Sequence, residues 1–228
     1  MKNLLKVERL NYTLPNGRSI LEGVSFELLE GEFLGILGRN GVGKTTLMDL
    51  LLGIKPLTSG TIKILGEDPL SPQRVCLSDI CFLSQDNSLK SSLSVRQFLN
   101  FYSNLYPNYS KDEEAHLLNF FSLKPESIIG SLSTGQQKKV QIVAGMSARP
   151  KIVLIDEITA VLDPETRNHF FQVLKRHKDE RKLGIILATN IAEDLISRAD
   201  RVFFIDNGRG ESVSPSEILN LFKVEKVA

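Results

Sequence analysis

Several features that mark other protein classes are scarce or missing here. Two cysteines occur, Cys76 and Cys81, and their spacing fits no metal-binding or redox motif, which argues against a disulfide framework and fits a reducing compartment. No stretch approaches the roughly 18 uninterrupted apolar residues of a membrane-spanning helix. The segment from Met1 to Arg9 mixes both charge signs and lacks the apolar core of a secretory signal. Direct membrane insertion is therefore not expected; work at a membrane would require docking on another chain. Charge of one sign is also lacking. The 28 Lys and Arg against 27 Asp and Glu leave a net charge of +1, which gives no electrostatic footprint for nucleic acid. Repeats and low-complexity linkers are absent. What remains is an ordinary globular composition, 42% hydrophobic and 24% charged. A chain of 228 residues buries about 70% of its unfolded surface without covalent staples. It reads as one large domain, with an inserted lobe.

The pattern begins with short alternating runs over residues 4–32, broken at Asn16-Gly17 by a hairpin-type turn, and predicts a small antiparallel sheet. Phe33 to Leu37 is a continuous apolar run, as expected for a strand buried on both faces. Leu47, Leu50 and Leu51 then give a helix its apolar face, and Thr61 to Leu65 reads as a strand. Between about 86 and 149 the character is helical. Ser94 and Gln97 form a capping box, and Phe98, Phe101, Tyr102 and Leu105 fall at i, i+3, i+4 and i+7, which predicts that they are core. Further strands are expected at Lys151 to Ile155, Leu183 to Thr189 and Val202 to Asp206, with short helices after 189 and near 216–222. Asp163-Pro164-Glu165 starts a helix well, and the basic residues Lys175 to Lys182 read as its solvated C-terminal end. His116, His169 and His177 read as surface or packing residues. Strands alternating with helices imply an α/β fold with a mostly parallel sheet.

Two motifs carry chemistry. Gly38-Arg39-Asn40-Gly41-Val42-Gly43-Lys44-Thr45-Thr46 matches G-x-x-x-x-G-K-[ST] between a buried strand and a helix, as a phosphate-binding loop requires. Its glycines let backbone N–H groups wrap a phosphate at the helix N-terminus, Lys44 can bridge β- and γ-phosphates, and the Thr45 hydroxyl can hold Mg²⁺. Asp156 and Glu157 close the apolar run Ile152 to Ile155. Carboxylates there are costly to ionise unless a cation or water is near. Asp156 is therefore expected on Mg²⁺ through water, and Glu157 on the attacking water. These residues alone specify a P-loop nucleoside triphosphatase, and a small-molecule kinase would satisfy them too.

Leu132-Ser133-Thr134-Gly135-Gln136-Gln137 adds a second capping box, from Ser133 to Gln136, just upstream of the Asp156 strand. In combination with the two motifs it resembles the signature of ABC-transporter ATPases, and the likeness runs from about residue 4 to 210. The resemblance implies a RecA-like core with an antiparallel β lobe, about 1–85 and 150–228, and a helical signature subdomain at 86–149. It implies ATP and Mg²⁺ as cofactors, and places Tyr12 on adenine, Gln85 on Mg²⁺ and the attacking water, and Asp163 in a loop that communicates across a dimer. Two cassettes would pair head to tail, each ATP lying between one chain's Lys44 and the other's Ser133, Gly135 and Gln136. ATP would close that dimer and hydrolysis reopen it, driving transmembrane permease subunits docked near Gln85. The chain would then sit in the cytoplasm, peripheral on the inner face of the cell membrane.

Two positions depart from the family pattern. Ile158 stands where proline usually follows the catalytic glutamate, and Asn190 stands where a histidine contacts the γ-phosphate. Asn190 keeps an amide donor but cannot carry a proton, so the expectation is a slower ATPase that still closes on ATP. The segments Leu93 to Leu99 and Leu162 to Arg167 look most like subunits of bacterial drug, antibiotic or polymer exporters. The chain ends soon after Asn207-Gly208, so the extra C-terminal regulatory domain of sugar-type importers is not expected. A regulatory module with little hydrolysis and an importer ATPase remain open alternatives, as do a homodimer and a pairing with a sibling cassette.

Overall fold

A computed structural model describes residues 2–71, 76–86 and 88–218. The side chain of Cys76 and most of the helix expected near 216–222 lie outside the described residues. Strands β1 (Asn3–Thr13) and β2 (Ser19–Leu29) form an antiparallel pair, with Val7 opposite Phe26 and Leu10 opposite Val24. A third strand, β4 (Ser59–Ile64), joins the free edge of β1 and completes a sheet of order β2-β1-β4. The sequence pattern identifies that strand but not the sheet it joins.

The main sheet has the order β5-β6-β7-β3-β8-β9. Its strands are β3 (Phe33–Leu37), β5 (Ile80–Ser84), β6 (Ile152–Asp156), β7 (Gly184–Thr189), β8 (Arg201–Asp206) and β9 (Arg209–Val213). All adjacent pairs are parallel except β8 with β9, an antiparallel edge hairpin that periodicity does not announce. The period-two alternation of strand side chains splits the apolar runs between two cores. Phe33, Leu37, Val153, Ile155, Ile185 and Leu187 face one side, with apolar residues of helices α4 (Thr134–Ser147) and α5 (Pro164–Arg181). Leu34, Ile36, Leu154, Ile186 and Ala188 face the other, with Leu47, Met48, Leu50 and Leu51 of α1 (Lys44–Leu51) and Leu5, Leu10 and Phe26 of the small sheet. Burying each large side chain on either face contributes about 1.5–3 kcal/mol.

Helices α2 (Val95–Ser103), α3 (Lys111–Phe120) and α4 form the lobe between β5 and β6. Ser94 and Ser133 close complete capping boxes with Gln97 and Gln136. The expected core stripe of α2 is out of phase. Phe101 is 60% exposed and Leu105, just past the helix, 56%. The fully buried positions are instead Val95 and Leu99, with Phe98 and Tyr102 packed partly against them. Two overlapping apolar stripes run along this helix, and its packing against α4 selects the Val95–Leu99 one. The basic end of α5 is solvated, with Lys175 and Lys182 exposed. Lys178 pairs with Asp200, and Arg176 with Glu113 of α3, so the helix end is tied to the lobe as well as solvated. His177 is buried between Glu113 (Nε2 to Oε1, 3.0 Å) and Arg181 (Nδ1 to Nη1, 3.2 Å). Arg176 Nη2 lies 3.2 Å from the same Nε2, so both ring nitrogens sit among charged side chains of α3 and α5. His116 is exposed, and His169 packs on Phe120 at 4.7 Å. Burial pushes the Cys81 thiol up to about 12, leaving it protonated and inert.

Candidate functional site

In a parallel sheet the carboxyl ends of the strands open onto one crevice, where ligands bind. Register places the site there. Ser84, Asp156 and Ala188 lie side by side at the ends of β5, β6 and β7, and Leu37 pairs with Thr189. The chain leaving β3 enters the loop Gly38 to Gly43 and turns into α1. Gly43 caps that helix at φ 111°, a conformation that L side chains rarely adopt, and an added Cβ would press on Ile20 at 3.0 Å. Glycine is required there by both backbone and space.

Lys44 is 3% exposed. Its ammonium donates to the Gly38 carbonyl at 2.9 Å and the Arg39 carbonyl at 3.0 Å, and pairs with Glu157 Oε1 at 3.0 Å. An ammonium has three hydrogens, so its donors are committed, and a phosphate would enter this set by replacing one of these partners. Consecutive strand residues normally point to opposite faces. Glu157 escapes that rule through a left-handed backbone, φ 52° and ψ 12°, anchored by its N–H on the Ala188 carbonyl at 3.0 Å. The turn lets both carboxylates of the Asp156-Glu157 pair reach the neighbourhood of Lys44. Such a conformation costs about 1–3 kcal/mol in a non-glycine residue. Ile158, which follows Glu157, is fully buried in the core.

Asp156 is 4% exposed. Burial, with the nearby negative charge of Glu157, pushes its carboxyl above the ordinary range; a Thr45 hydrogen bond and the Lys44 charge oppose this without prevailing. Its Oδ1 is buried with no hydrogen-bond partner. A buried carboxylate oxygen without a donor, beside a hydroxyl, is a hard-oxygen set suited to Mg²⁺, which takes one or two protein oxygens and fills the rest with phosphates and water. The residues present fit that ion.

Gln85 follows β5, exposed, with its N–H on the Asp156 carbonyl at 3.0 Å. Asn190 follows β7, and its Nδ2 donates to Asn40 Oδ1 of the phosphate loop at 2.8 Å. Arg39, Asn40, Gly41 and Val42 line a cavity of about 570 Å³ shared with Arg18 and Asn207. Thr46 lies in the first turn of α1. Tyr12 is half-buried in β1, opposite Leu21 of β2 and packed on the core of the small sheet and α1. The structure thus gathers Gly38 to Thr46, Gln85, Asp156, Glu157 and Asn190. It does not bring the signature residues to them: among the described residues no hydrogen bond or ion pair links Ser133, Gly135 or Gln136 to the loop. Gly135 instead lies beside Asp163, whose Oδ2 is 3.9 Å from the position of a Gly135 Cβ. Asp163 caps α5, accepting from Thr166 N at 2.9 Å and from its hydroxyl at 2.6 Å, bonds that hold its carboxyl below the usual range.

One site residue escapes sequence reasoning. Lys138, one turn into α4 from Gly135, is buried and donates to the Ser84 carbonyl at 3.1 Å, fixing the chain just before Gln85. Burial lowers its pKa, with Asp86 opposing. Its only signal is a lysine on the inner side of a helix whose cap was already recognised.

The chain matches the ABC transporter family over residues 21–160. It is 29% identical over 84% of its length to the ABC transporter ATP-binding protein YtrB of Bacillus subtilis, and 31% identical over 89% to the doxorubicin resistance ATP-binding protein DrrA of Mycobacterium tuberculosis. It spans 65% and 62% of the length of those relatives. The solved structure of cbiO1 from Clostridium perfringens, described as part of the ABC transporter complex cbiONQ, superposes with a TM-score of 0.82 at 30% identity, covering 98% of this chain and 93% of that one. Among the described residues no helix is long and apolar enough to cross a membrane. With the glycine-rich loop, the paired carboxylates and the capped helix α4 in place, the chain belongs to the ABC transporter family.

Proposed function

We propose that this chain binds and hydrolyses ATP and so powers transport across a membrane through a separate transmembrane permease. The observation that carries the reading is the convergence of Lys44, Thr45, Asp156 and Glu157 at the carboxyl ends of β3 and β6. The loop amides and Lys44 would hold the triphosphate, Tyr12 the adenine, and Glu157, released from Lys44 by the incoming phosphate, would accept the proton of the attacking water. Thr45, Asp156 and Gln85 would hold Mg²⁺, which when bound neutralises phosphate charge.

The separation of Ser133 and Gly135 from the chain's own loop supports a site completed by a second cassette, head to tail, closing on ATP and reopening after hydrolysis. Residues 1–85 and 150–228 would act as the core and 86–149 as the lobe presented to the partner. The drug-resistance name of one relative favours export. The solved neighbour is part of a transporter complex, which favours assembly with other chains; in this reading a permease would hold the chain at the cytoplasmic face of the membrane. Calorimetry with Mg²⁺-ATP and a phosphate-release assay test this reading, and absence of nucleotide binding would end it.

Asn190 sets the rate in this scheme. Its amide is spent on Asn40 in the resting chain, and it has no group that shuttles a proton. Asn190→His is expected to raise turnover, by no more than about 10²–10³-fold, with ATP affinity nearly unchanged. Equal or lower turnover in the variant would favour the second reading, a nucleotide-binding regulatory module.

A further inference from the structure

We infer that Arg167 and Asp194 are a positioning pair that carries the state of the phosphate loop to the Asp163 turn, an inference that rests on the nucleotide reading of the site. Asp194 belongs to α6 (Glu193–Ile196), a helix of a single turn. Its carboxylate is 1% exposed. Oδ1 accepts from Arg167 Nε at 2.7 Å and Nη2 at 2.5 Å, and Oδ2 is buried without a partner. A buried ion pair is weak evidence for stability, since apolar residues of similar volume do as well or better. Leu195, fully buried next to it, already anchors α6. What the pair adds is direction: the planar guanidinium takes one carboxylate oxygen with two donors and fixes α6 against α5.

Both ends of this link reach the site. On one side the chain runs from Asp194 back to Asn190, with Asp194 N on the Ile191 carbonyl at 3.2 Å and Ile191 N on Thr189 Oγ1 at 3.0 Å, and Asn190 holds Asn40 of the phosphate loop. On the other, Arg167 N donates to the Asp163 carbonyl at 2.9 Å, and the Asp163 carboxylate borders Gly135 of the signature helix. Phosphate arriving at the loop competes for Asn40 and Asn190. Displacement of the Asn190 loop then pulls on α6, and through Arg167 on the turn that carries Asp163. Spatial continuity is not coupling, so the link must be tested by breaking it.

Hydrogen exchange of the full chain, with and without Mg²⁺ and a non-hydrolysable ATP analogue, reads each segment separately. In the wild type, nucleotide is expected to slow exchange in residues 38–46, 188–195 and 160–167. Asp194→Asn and Arg167→Gln should keep the response at 38–46 and lose at least half of it at 160–167, while Arg167→Lys restores part. In the same variants kcat per nucleotide-binding site, with sites counted by titration, should fall about tenfold with KM within about twofold; the site count removes the effect of any unfolded fraction, which would lower apparent kcat in the same way. Arg167 is partly exposed, so its variants remain informative if Asp194→Asn fails to fold. An undiminished response at 160–167 in the variants overturns the inference, as does a wild type in which 38–46 responds and 160–167 does not. Silence at 38–46 itself would instead reject the nucleotide reading, and the inference with it.

Discussion

Glu157→Gln is expected to lower ATP turnover by about 10²–10⁴-fold, the usual contribution of a positioned general base. The amide keeps an acceptor for Lys44 and the shape of the left-handed turn, so the fold and the phosphate loop should survive. Removing a negative charge 3.0 Å from the Lys44 ammonium also removes a competitor for it. Affinity for ADP, which no hydrolysis can confound, should therefore stay level or rise. Phosphate release measured alongside ADP calorimetry checks both halves. A variant that retains a tenth or more of its turnover would remove Glu157 from the role of base. One that loses ADP binding would mean that the pair with Lys44 holds the loop open instead of competing with nucleotide.

Asp156→Asn is expected to make the nucleotide-free chain more stable and the nucleotide-loaded chain less so. The folded pKa of Asp156 is raised. Its favourable contribution is therefore complete below the ordinary carboxylate range and is lost as pH climbs through the raised value. Once ionised, Asp156 is a buried charge with an unsatisfied oxygen, a defect of about 1–3 kcal/mol. A neutral amide relieves part of it. Since 1 kcal/mol moves Tm by about 2–4 °C in a domain of this size, a rise of a few degrees should appear near pH 7 and shrink toward pH 4. Mg²⁺-ATP at a hundredfold its Kd would stabilise the wild type by about 2.7 kcal/mol. The variant, deprived of its metal-side carboxylate, should lose most of that gain. Melting curves with and without Mg²⁺-ATP should thus reverse the order of the two proteins. If the wild type melts higher in both conditions, Asp156 is a structural residue and not a metal-side one.

Much of this site was legible because its determinants are local. A phosphate loop needs glycines, a lysine and a hydroxyl at fixed offsets after a buried strand, and Gly38 to Thr46 supplies them contiguously. Ser94, Ser133 and Asp163 announced their helices because a cap is satisfied within three residues. The phase of α2 was not legible: Phe98, Phe101, Tyr102 and Leu105 make as good a helical stripe as Val95 and Leu99. Only the surface of α4 distinguishes them. Lys138 on Ser84, Arg167 on Asp194 and His177 on Glu113 span 27 to 64 residues of sequence, and no spacing rule reaches that far.

Taken alone, then, the sequence determined the family, the glycine-rich loop and the carboxylate pair, since each depends on residue type and short spacing. Tertiary structure alone decided that β4 serves the small sheet, that Glu157 turns left-handed to pair with Lys44, and that Asn190 rests on Asn40. Those outcomes follow from strand register and from charges brought together across the crevice. Such contacts form only when distant segments compete for the same buried partners.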